Sequence, residues 1–168
     1  MKRLLLGVCL IIGMSAVGMA QEEKPVPGFS LGGGSFFSSG FMDGGSADFA
    51  FLIFQKNYLD IRNHFVFRGG SFSDGGIMML TEKISFGGMA ADKWRSYGYA
   101  EGGIGFTANE AKGLFEQPLT FSVGGGGGTD LFLARTMSIY FEAGGLFTVT
   151  DNVWAGGGIF QIGWKGWF

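Results

Sequence analysis

The sequence predicts an all-β protein, an eight-stranded antiparallel up-and-down transmembrane β-barrel. Three observations lead to this fold class. Apolar and polar residues alternate with a period of two along most of the chain, as in strands with one apolar face. The 168 residues include 33 Gly, 19 Phe, 4 Trp and 4 Tyr but only 12 basic and 14 acidic side chains. The N-terminus has the pattern of an export signal.

The composition excludes three other classes. Disordered chains carry more charge and fewer aromatic residues, coiled coils are rich in Ala, Glu, Lys and Leu, and collagen needs strictly periodic Gly with abundant Pro. The net charge of −2 and the lack of a basic cluster also argue against nucleic acid as a partner.

Residues 1–20 are predicted to be a cleaved signal peptide. Lys2 and Arg3 form its basic start, an apolar stretch follows, and the small residues before and at Ala20 form a cleavage site. The alternative is a retained anchor helix, but the apolar stretch is shorter than the ~20 residues that a membrane-spanning helix needs.

Cleavage sets the remaining domain boundaries. It removes Cys9, the only cysteine, so the exported domain is expected to be stable without disulfides. Residues 21–27, with two Glu and two Pro, are predicted to be a flexible periplasmic leader. Residues 28–168 are predicted to form the eight-stranded barrel.

Eight segments account for the barrel. The alternation is clear in the third, fifth, seventh and eighth segments and fainter in the others, and the fourth is needed to connect its neighbours. Each strand and its connection have about 18 residues, enough for the ~10 residues of a tilted membrane strand plus a turn. The predicted strands are Gly28–Phe37, Ala47–Gln55, Tyr58–Arg68, Gly76–Gly88, Trp94–Thr107, Leu119–Gly128, Met137–Thr148 and Phe160–Phe168.

The connections carry the Gly, Asn, Asp and Pro residues that turns require. An even number of strands places both ends of the barrel chain on the same side. The predicted connections include Lys56-Asn57, Gly69–Gly75, Met89–Lys93, Glu110–Pro118, Thr129–Thr136 and Asp151-Asn152.

The fourth strand departs from strict alternation. Unbroken alternation would place Glu82 on the same face as Leu80 and Ile84, where a carboxylate is costly. A β-bulge at Glu82–Lys83 would turn both charges to the polar face. The sequence therefore predicts a bulge at this position.

Two kinds of barrel differ in whether the apolar face of the sheet points into the lumen or outward. A soluble barrel of the lipocalin type holds its apolar face inside, whereas a membrane barrel turns it toward lipid. The polar face here is crowded with Gly, Ser, Thr, Tyr and a few charges, which suits the narrow interior of an eight-stranded barrel. We therefore predict lipid outside and a polar interior, with a soluble ligand-binding barrel as the alternative.

The glycine runs, such as Gly124–Gly128, are compatible with two interpretations. A phosphate loop needs a strand before it, a helix after it and a Lys at a fixed position. Gly124–Gly128 is followed by Thr129 and Asp130 without such a Lys. We therefore expect these glycines to allow strand curvature and close packing inside a narrow barrel.

The C-terminal segment resembles the assembly signal of bacterial outer-membrane β-barrel proteins. That signal has a polar residue, Gly two positions later and alternating apolar residues that end in an aromatic one. Gln161, Gly163 and Phe168 match it, whereas Gly166 stands where the family has a larger apolar residue. With the export signal and the eight segments, the chain resembles the small eight-stranded outer-membrane proteins, such as the transmembrane domain of outer-membrane protein A and the X-type and W-type barrels.

This resemblance implies a location and partners. We expect an integral protein of the outer membrane in a Gram-negative bacterium, in contact with outer-membrane lipid. Periplasmic chaperones and the barrel assembly machinery would be partners during biogenesis. We expect a monomer and no nucleic-acid partner.

Ten polar side chains are predicted to face the lumen. Unpaired charges there would cost several kcal/mol each, so we expect a hydrogen-bonded network of ion pairs that plugs the barrel. The alternative is a narrow, gated channel for ions or small solutes, in which these pairs rearrange. The ten residues are Asp60, Arg62, His64, Arg68, Glu82, Lys83, Arg95, Glu101, Glu142 and Lys165.

Catalysis is a third possible class of function. Some small outer-membrane barrels modify lipid A with a His, a Ser and a carboxylate, which requires the imidazole within hydrogen-bond reach of the hydroxyl. His64 is the only histidine, and Val66 rather than Ser stands two residues after it, although Ser71 or Ser85 of a neighbouring strand remains a candidate. We predict a non-enzymatic protein with no cofactor, no catalytic residues and no metal site.

The outer loops are short and offer little docking surface. Only the third of them has substantial polar character. They are predicted near Ser38–Gly45, Gly69–Gly75, Thr107–Pro118 and Val149–Asn152.

Overall fold

The computed structural model describes residues 27–38, 43–72, 75–108, 118–150 and 153–168. The predicted signal peptide, residues 1–20, and almost all of the predicted leader lie outside the described residues, as do parts of the four predicted outer loops. Among the described residues, no helix is long and apolar enough to cross a membrane.

The described residues form a closed, all-antiparallel barrel of eight strands in which each strand pairs with its neighbours in sequence. The first strand also pairs with the last, so the sheet has no free edge. This confirms the predicted fold class. The strands are β1 (Phe29–Ser38), β2 (Asp43–Lys56), β3 (Leu59–Phe72), β4 (Gly75–Ala91), β5 (Trp94–Ala108), β6 (Leu119–Ala134), β7 (Met137–Thr150) and β8 (Val153–Trp167).

The two ends of the barrel differ in their connections. At the end we call the terminal end, Phe29 and Phe168 exchange two backbone hydrogen bonds, of 3.2 and 2.9 Å. The two-residue turns Asn57-Tyr58, Asp92-Lys93 and Arg135-Thr136 lie at this same end. Asn57 has a φ of 56°, a left-handed conformation that Asn tolerates and that tight hairpin turns require. The opposite end, toward the predicted outer loops, is the loop end.

The apolar face of the sheet lies outside. Large apolar side chains point outward from every strand, and Trp154, for example, is 73% exposed. Ten Asp, Glu, Lys and Arg side chains of the described residues are instead buried within the barrel. This is the orientation predicted for a membrane barrel, and it is the reverse of that in a soluble lipocalin-type barrel.

The predicted bulge at Glu82–Lys83 is wrong. β4 keeps an unbroken register with both β3 and β5 through this segment, so Lys83 points into the lumen and Glu82 points outward among apolar residues. Asn63 of β3 offsets part of the cost of the outward position, because its Nδ2 donates a 2.8 Å hydrogen bond to Glu82 Oε1. The register shifts instead lie between residues 52 and 54, 89 and 91, and 132 and 134, beside the turns of the terminal end.

Glycines make room for the tyrosine rings inside the barrel. A Cβ atom on Gly128 would lie 2.8 Å from Tyr97 Cζ, and one on Gly144 would lie 2.7 Å from Tyr99 Oη. These distances are too short for a side chain at either position. The close packing that the sequence predicts for the glycine runs therefore occurs around aromatic rings in the lumen.

Candidate functional site

The candidate site is the set of charged side chains inside the barrel. Nine of the ten predicted lumen residues are buried there: Asp60, Arg62, His64, Arg68, Lys83, Arg95, Glu101, Glu142 and Lys165. Glu82 is the exception, because it lies on the outer face. Two further buried carboxylates, Asp48 and Asp130, belong to the set. Among the described residues, five buried cations therefore face five buried carboxylates, and their charges cancel when His64 is neutral.

Arg95 is the centre of the network near the terminal end. Its Nε donates to both oxygens of Asp60, at 2.9 and 3.1 Å, and its Nη1 donates to Asp130 at 3.1 Å. Arg62 also contacts Asp60, at 3.3 Å, and Lys165 donates to Asp130 at 3.1 Å. Each carboxylate thus lies between two cations, which compensates for the loss of its hydration.

Trp167 closes the network on the terminal side. Its ring lies 4.8 Å from the Arg62 guanidinium carbon, a cation-π distance. Its indole N–H donates to Ser138 Oγ at 2.7 Å. Arg62 Nη2 also donates to the carbonyl of Pro27 at 2.8 Å, so the chain that leads into β1 is fixed at this mouth of the barrel.

Tyr97 connects this end to the middle of the lumen. Its hydroxyl accepts a 3.3 Å hydrogen bond from Lys165 and donates one of 2.8 Å to Glu142. Lys83 donates to the same Glu142 oxygen at 2.7 Å and lies 3.6 Å from Asp48. The contacts therefore continue without a break from the terminal end to β2.

Asp48, His64 and Ser85 form a three-residue relay at the middle of the lumen. Asp48 accepts from His64 Nδ1 at 3.0 and 3.1 Å, and His64 Nε2 lies 2.9 Å from Ser85 Oγ. An ionised carboxylate can only accept, so the proton is on Nδ1 and Ser85 donates to Nε2. This is the bonding order of a Ser-His-Asp triad. The structure thus brings Ser85, and not Ser71, to His64.

The surroundings of this relay do not favour catalysis. Asp48, His64 and Ser85 are all at least 96% buried inside the barrel. Ser85 lies in the middle of a strand that is paired on both sides, so the nearby backbone N–H groups are used in the sheet. An oxyanion hole needs free N–H donors beside the nucleophile. The described geometry therefore fits a structural role for the relay.

Above the relay the lumen changes character toward the loop end. Arg68 donates to Glu101 at 2.8 Å and to Thr81 at 3.0 Å. Met79, the partner of Arg68 across the ladder, begins an apolar cluster beyond this pair. The apolar cluster consists of Phe36, Ile77, Met79, Leu146 and Ile159, each at most 6% exposed.

The residues of the predicted assembly signal have defined positions in the folded barrel. Gln161 points inward and donates to Tyr140 Oη and Ser46 Oγ, both at 2.6 Å. A Cβ on Gly163 would lie 2.6 Å from Tyr140 Cε1, so only glycine fits there. Phe168 lies outside and stacks on Phe29 with 5.1 Å between ring centres. Recognition by an assembly machinery stays a prediction.

Comparison with known proteins supports the fold. No family model and no curated protein matches the sequence. The crystal structure of Ail, the attachment invasion locus protein of Yersinia pestis, matches with a TM-score of 0.52 at 15% identity, over 84% of this chain and 99% of that one. The fold is that of a small outer-membrane barrel.

Two further solved structures are similar over nearly their whole length. A major outer-membrane protein of Thermus thermophilus has 12% identity and a TM-score of 0.46, over 84% of this chain and 98% of that one. A de novo designed transmembrane β-barrel has 11% identity and a TM-score of 0.44, over 87% of this chain and 98% of that one.

Proposed function

We propose that the protein is an integral outer-membrane barrel with a structural or surface-interaction role, a lumen closed by its own side chains, and no enzymatic activity. The observation that carries this proposal is the unbroken series of contacts across the lumen. It begins at Arg62 beside Trp167, runs through the buried ion pairs to Ser85, and is followed toward the loop end by the apolar cluster.

Two features support closure. The interior of an eight-stranded barrel is just wide enough for its own side chains. Here that space holds long side chains, and Arg62, Arg68, Arg95 and Trp167 are each almost completely buried. An ion crossing the lumen would have to pass both the charged groups and the apolar cluster. The apolar side chains offer no groups that could replace the hydration shell of the ion.

A gated channel is the second candidate. The charge of the network favours it, because salt bridges can exchange partners as an ion passes. Lys83 lies between Glu142 at 2.7 Å and Asp48 at 3.6 Å, so a small movement would change its partner. Opening would also require the apolar cluster to separate, which makes a closed lumen the better-supported proposal.

The membrane location is tested first by gel migration of residues 21–168 refolded in detergent micelles. We expect the unboiled sample to migrate differently from the boiled one, because a closed barrel resists the gel detergent. A chain that remains soluble without detergent and shows no shift would contradict the proposal.

Conductance in a planar bilayer separates a plug from a channel. We expect no single-channel events from the refolded protein. A mock preparation from cells that do not express the protein, refolded in the same way, serves as the control for contaminating porins. Events whose ion selectivity changes in a Lys83→Met variant would establish a passage through this lumen and contradict closure.

A fluorophosphonate probe tests the non-enzymatic proposal at Ser85, because such probes label activated serines. We expect no labelling of the folded barrel. Labelling that is lost in a Ser85→Ala variant and that accompanies release of acyl chains from lipid A would overturn the proposal.

Recognition of the C-terminal segment by the assembly machinery is part of the proposal. We expect a Phe168→Ser variant to reach the outer membrane in lower amounts while the purified chain still refolds in micelles. An exposed aromatic residue outside the segment, Phe86, provides the control as Phe86→Ser. Equal losses for both variants would contradict a specific role of Phe168.

A further inference from the structure

The lipid-facing surface contains a polar pair at mid-depth. Glu82 points outward from β4, with Met78 and Leu80 on its loop side and Ile84 and Phe86 on its terminal side. All four of these apolar side chains are exposed. Outward-pointing residues are two positions apart in sequence, and a tilted strand rises about 2.5 Å per residue along the barrel axis. Glu82 and these four apolar residues therefore cover most of the height of an apolar band ~25 Å tall. Glu82 therefore lies near the middle of that band.

Hydrocarbon leaves the hydrogen-bonding capacity of this pair unsatisfied. Asn63 donates one 2.8 Å hydrogen bond to Glu82 Oε1. A carboxylate has about four acceptor sites, and an amide group has a second N–H to donate. Acidic and amide groups that face lipid are costly unless another polar group covers them. The outer surface at Glu82 and Asn63 is therefore suited to a partner within the membrane.

The outer surface carries small residues on one side of the polar pair and aromatic rings on the other. On the β5 side, Gly102 lies beside Glu82 and exposed Ala100 lies beside Ile84, so these two positions form a shelf without large side chains, bordered toward the loop end by exposed Ile104. A Cβ on Gly102 would meet no atom closer than Ser122 O at 3.7 Å.

On the β3 side of the pair, aromatic rings form a ridge. Phe65 lies beside Glu82 across the β3–β4 ladder, and its ring centre is 6.3 Å from that of Phe51 on β2. The polar pair thus lies between a ridge of rings and a shelf of small residues, and the shelf can receive a ridge of the same shape.

We propose that a second copy of this chain docks on this surface to form a two-fold symmetric dimer within the membrane. The surface is self-complementary, because it carries both a carboxylate acceptor and an amide donor, and both a ridge and a shelf. A two-fold axis near Glu82 brings its carboxylate to Asn63 of the partner subunit, and the reverse, as an isologous interface requires. The predicted monomer is replaced by a dimer in this proposal.

The test uses residues 21–168 in lipid vesicles, with energy transfer between copies labelled at a single cysteine introduced as Thr136→Cys in an exposed turn. We expect transfer that increases with protein density and fits a dimer. Glu82→Leu removes the polar contact and Gly102→Leu fills the shelf. We expect each to weaken association by about tenfold or more, the scale of one lost interfacial contact.

Two matched variants control for the change in surface chemistry. Ser35→Leu replaces an exposed outward polar residue on β1. Gly145→Leu fills a glycine on β7 whose Cβ would meet no atom closer than 3.8 Å. We expect dimerisation to be unchanged in both, and gel migration without boiling verifies that every variant is folded.

Cysteine cross-linking locates the axis. Ile84→Cys lies beside the polar pair, whereas Ile162→Cys lies on β8, on the far side of the barrel. We expect disulfide-linked dimers from the first and not from the second. A chain that stays monomeric at all densities, or equal association of all four leucine variants, overturns the proposal, as does preferential cross-linking at Ile162→Cys.

Discussion

The two parts of the lumen differ in the side chains that fill them: one part holds the charged residues, and the loop end holds the apolar cluster together with the hydroxyl groups of Thr120, Ser122 and Thr148. From the terminal end to the Arg68–Glu101 pair, the described residues of the lumen include five cations and five carboxylates, linked by ion pairs such as that of Lys83 with Glu142 at 2.7 Å. At the loop end, the apolar cluster contains neither a charge nor a hydrogen-bonding side chain. Both parts are almost completely buried and are formed by inward-pointing residues of the same barrel.

The difference shows which interactions depend on a specific partner. A buried charge is stabilised only while its partner is present, so each residue of the charged part is coupled to others. A buried apolar side chain contributes through its volume and tolerates changes of neighbour better. Substitutions in the charged part should therefore be rescued by changes at the partner, and those in the apolar cluster should not.

Arg95→Leu should have the largest effect. The substitution leaves Asp60 and Asp130 without their shared cation in a buried site, which costs about 5 kcal/mol of unfolding free energy. Urea unfolding in vesicles measures the change. Arg135→Leu, at an exposed turn residue, is the control and should leave the midpoint unchanged. Equal effects of the two variants would contradict the network.

Glu101→Ala should cost somewhat less, about 4 kcal/mol, because Arg68 loses its carboxylate but keeps Thr81. The double variant Arg68→Met with Glu101→Leu should recover most of this loss, since an apolar pair can replace a buried ion pair. The same unfolding experiment tests both. An unchanged unfolding midpoint in Glu101→Ala would exclude the ion pair. A double variant as unstable as Glu101→Ala would contradict the idea that a change at the partner residue rescues the charged part.

Leu146→Ala should cost about 3 kcal/mol, because it creates a cavity in the apolar cluster. The barrel should still be silent in a planar bilayer, since the charged part continues to fill the lumen. Channel events in this variant alone would show that the apolar cluster is the only barrier.

Ser85→Ala should have the smallest effect, about 1 kcal/mol, because one hydrogen bond to His64 Nε2 is lost. Asp48→Ala also leaves Lys83 with one carboxylate fewer, so it should destabilise the barrel more. Unfolding midpoints compare the two. A larger loss for Ser85→Ala would indicate that the serine does more than complete the relay.

The fold was predictable because a strand with one apolar face leaves a period-two pattern. The same pattern predicts that Asp60, Arg62, His64 and Arg68 share one face of β3, and all four side chains are buried. Asp48 was missed although the alternation of β2 would have placed it inward. Asp130 was missed because the sixth strand extends to Ala134, through residues that resemble a turn.

Glu82 was misplaced for a different reason. Within one segment, a carboxylate on the apolar face is costly, and a bulge at Glu82–Lys83 is the local way to avoid that cost. The actual solution is a hydrogen bond from Asn63, which lies on another strand and is brought close only by the register of β3 and β4. Contacts of this kind depend on strand pairing and cannot be read from a single segment. The partners of the ion pairs in the lumen could not be predicted for the same reason.

Closure of the barrel between β1 and β8 makes the strand order cyclic. No strand is first or last in the sheet, and residues 29 and 168 lie side by side at the terminal end. A circularly permuted chain, with these residues joined by a short linker and new ends at the Asp92-Lys93 turn, would keep every strand pair. The contact that closes the barrel between the first and last strands of the chain would then be that of β4 with β5, two of the longer strands. The segment that ends at Phe168 would become internal. Such a chain would separate the information that specifies the barrel from the assembly signal that we propose for the segment ending at Phe168.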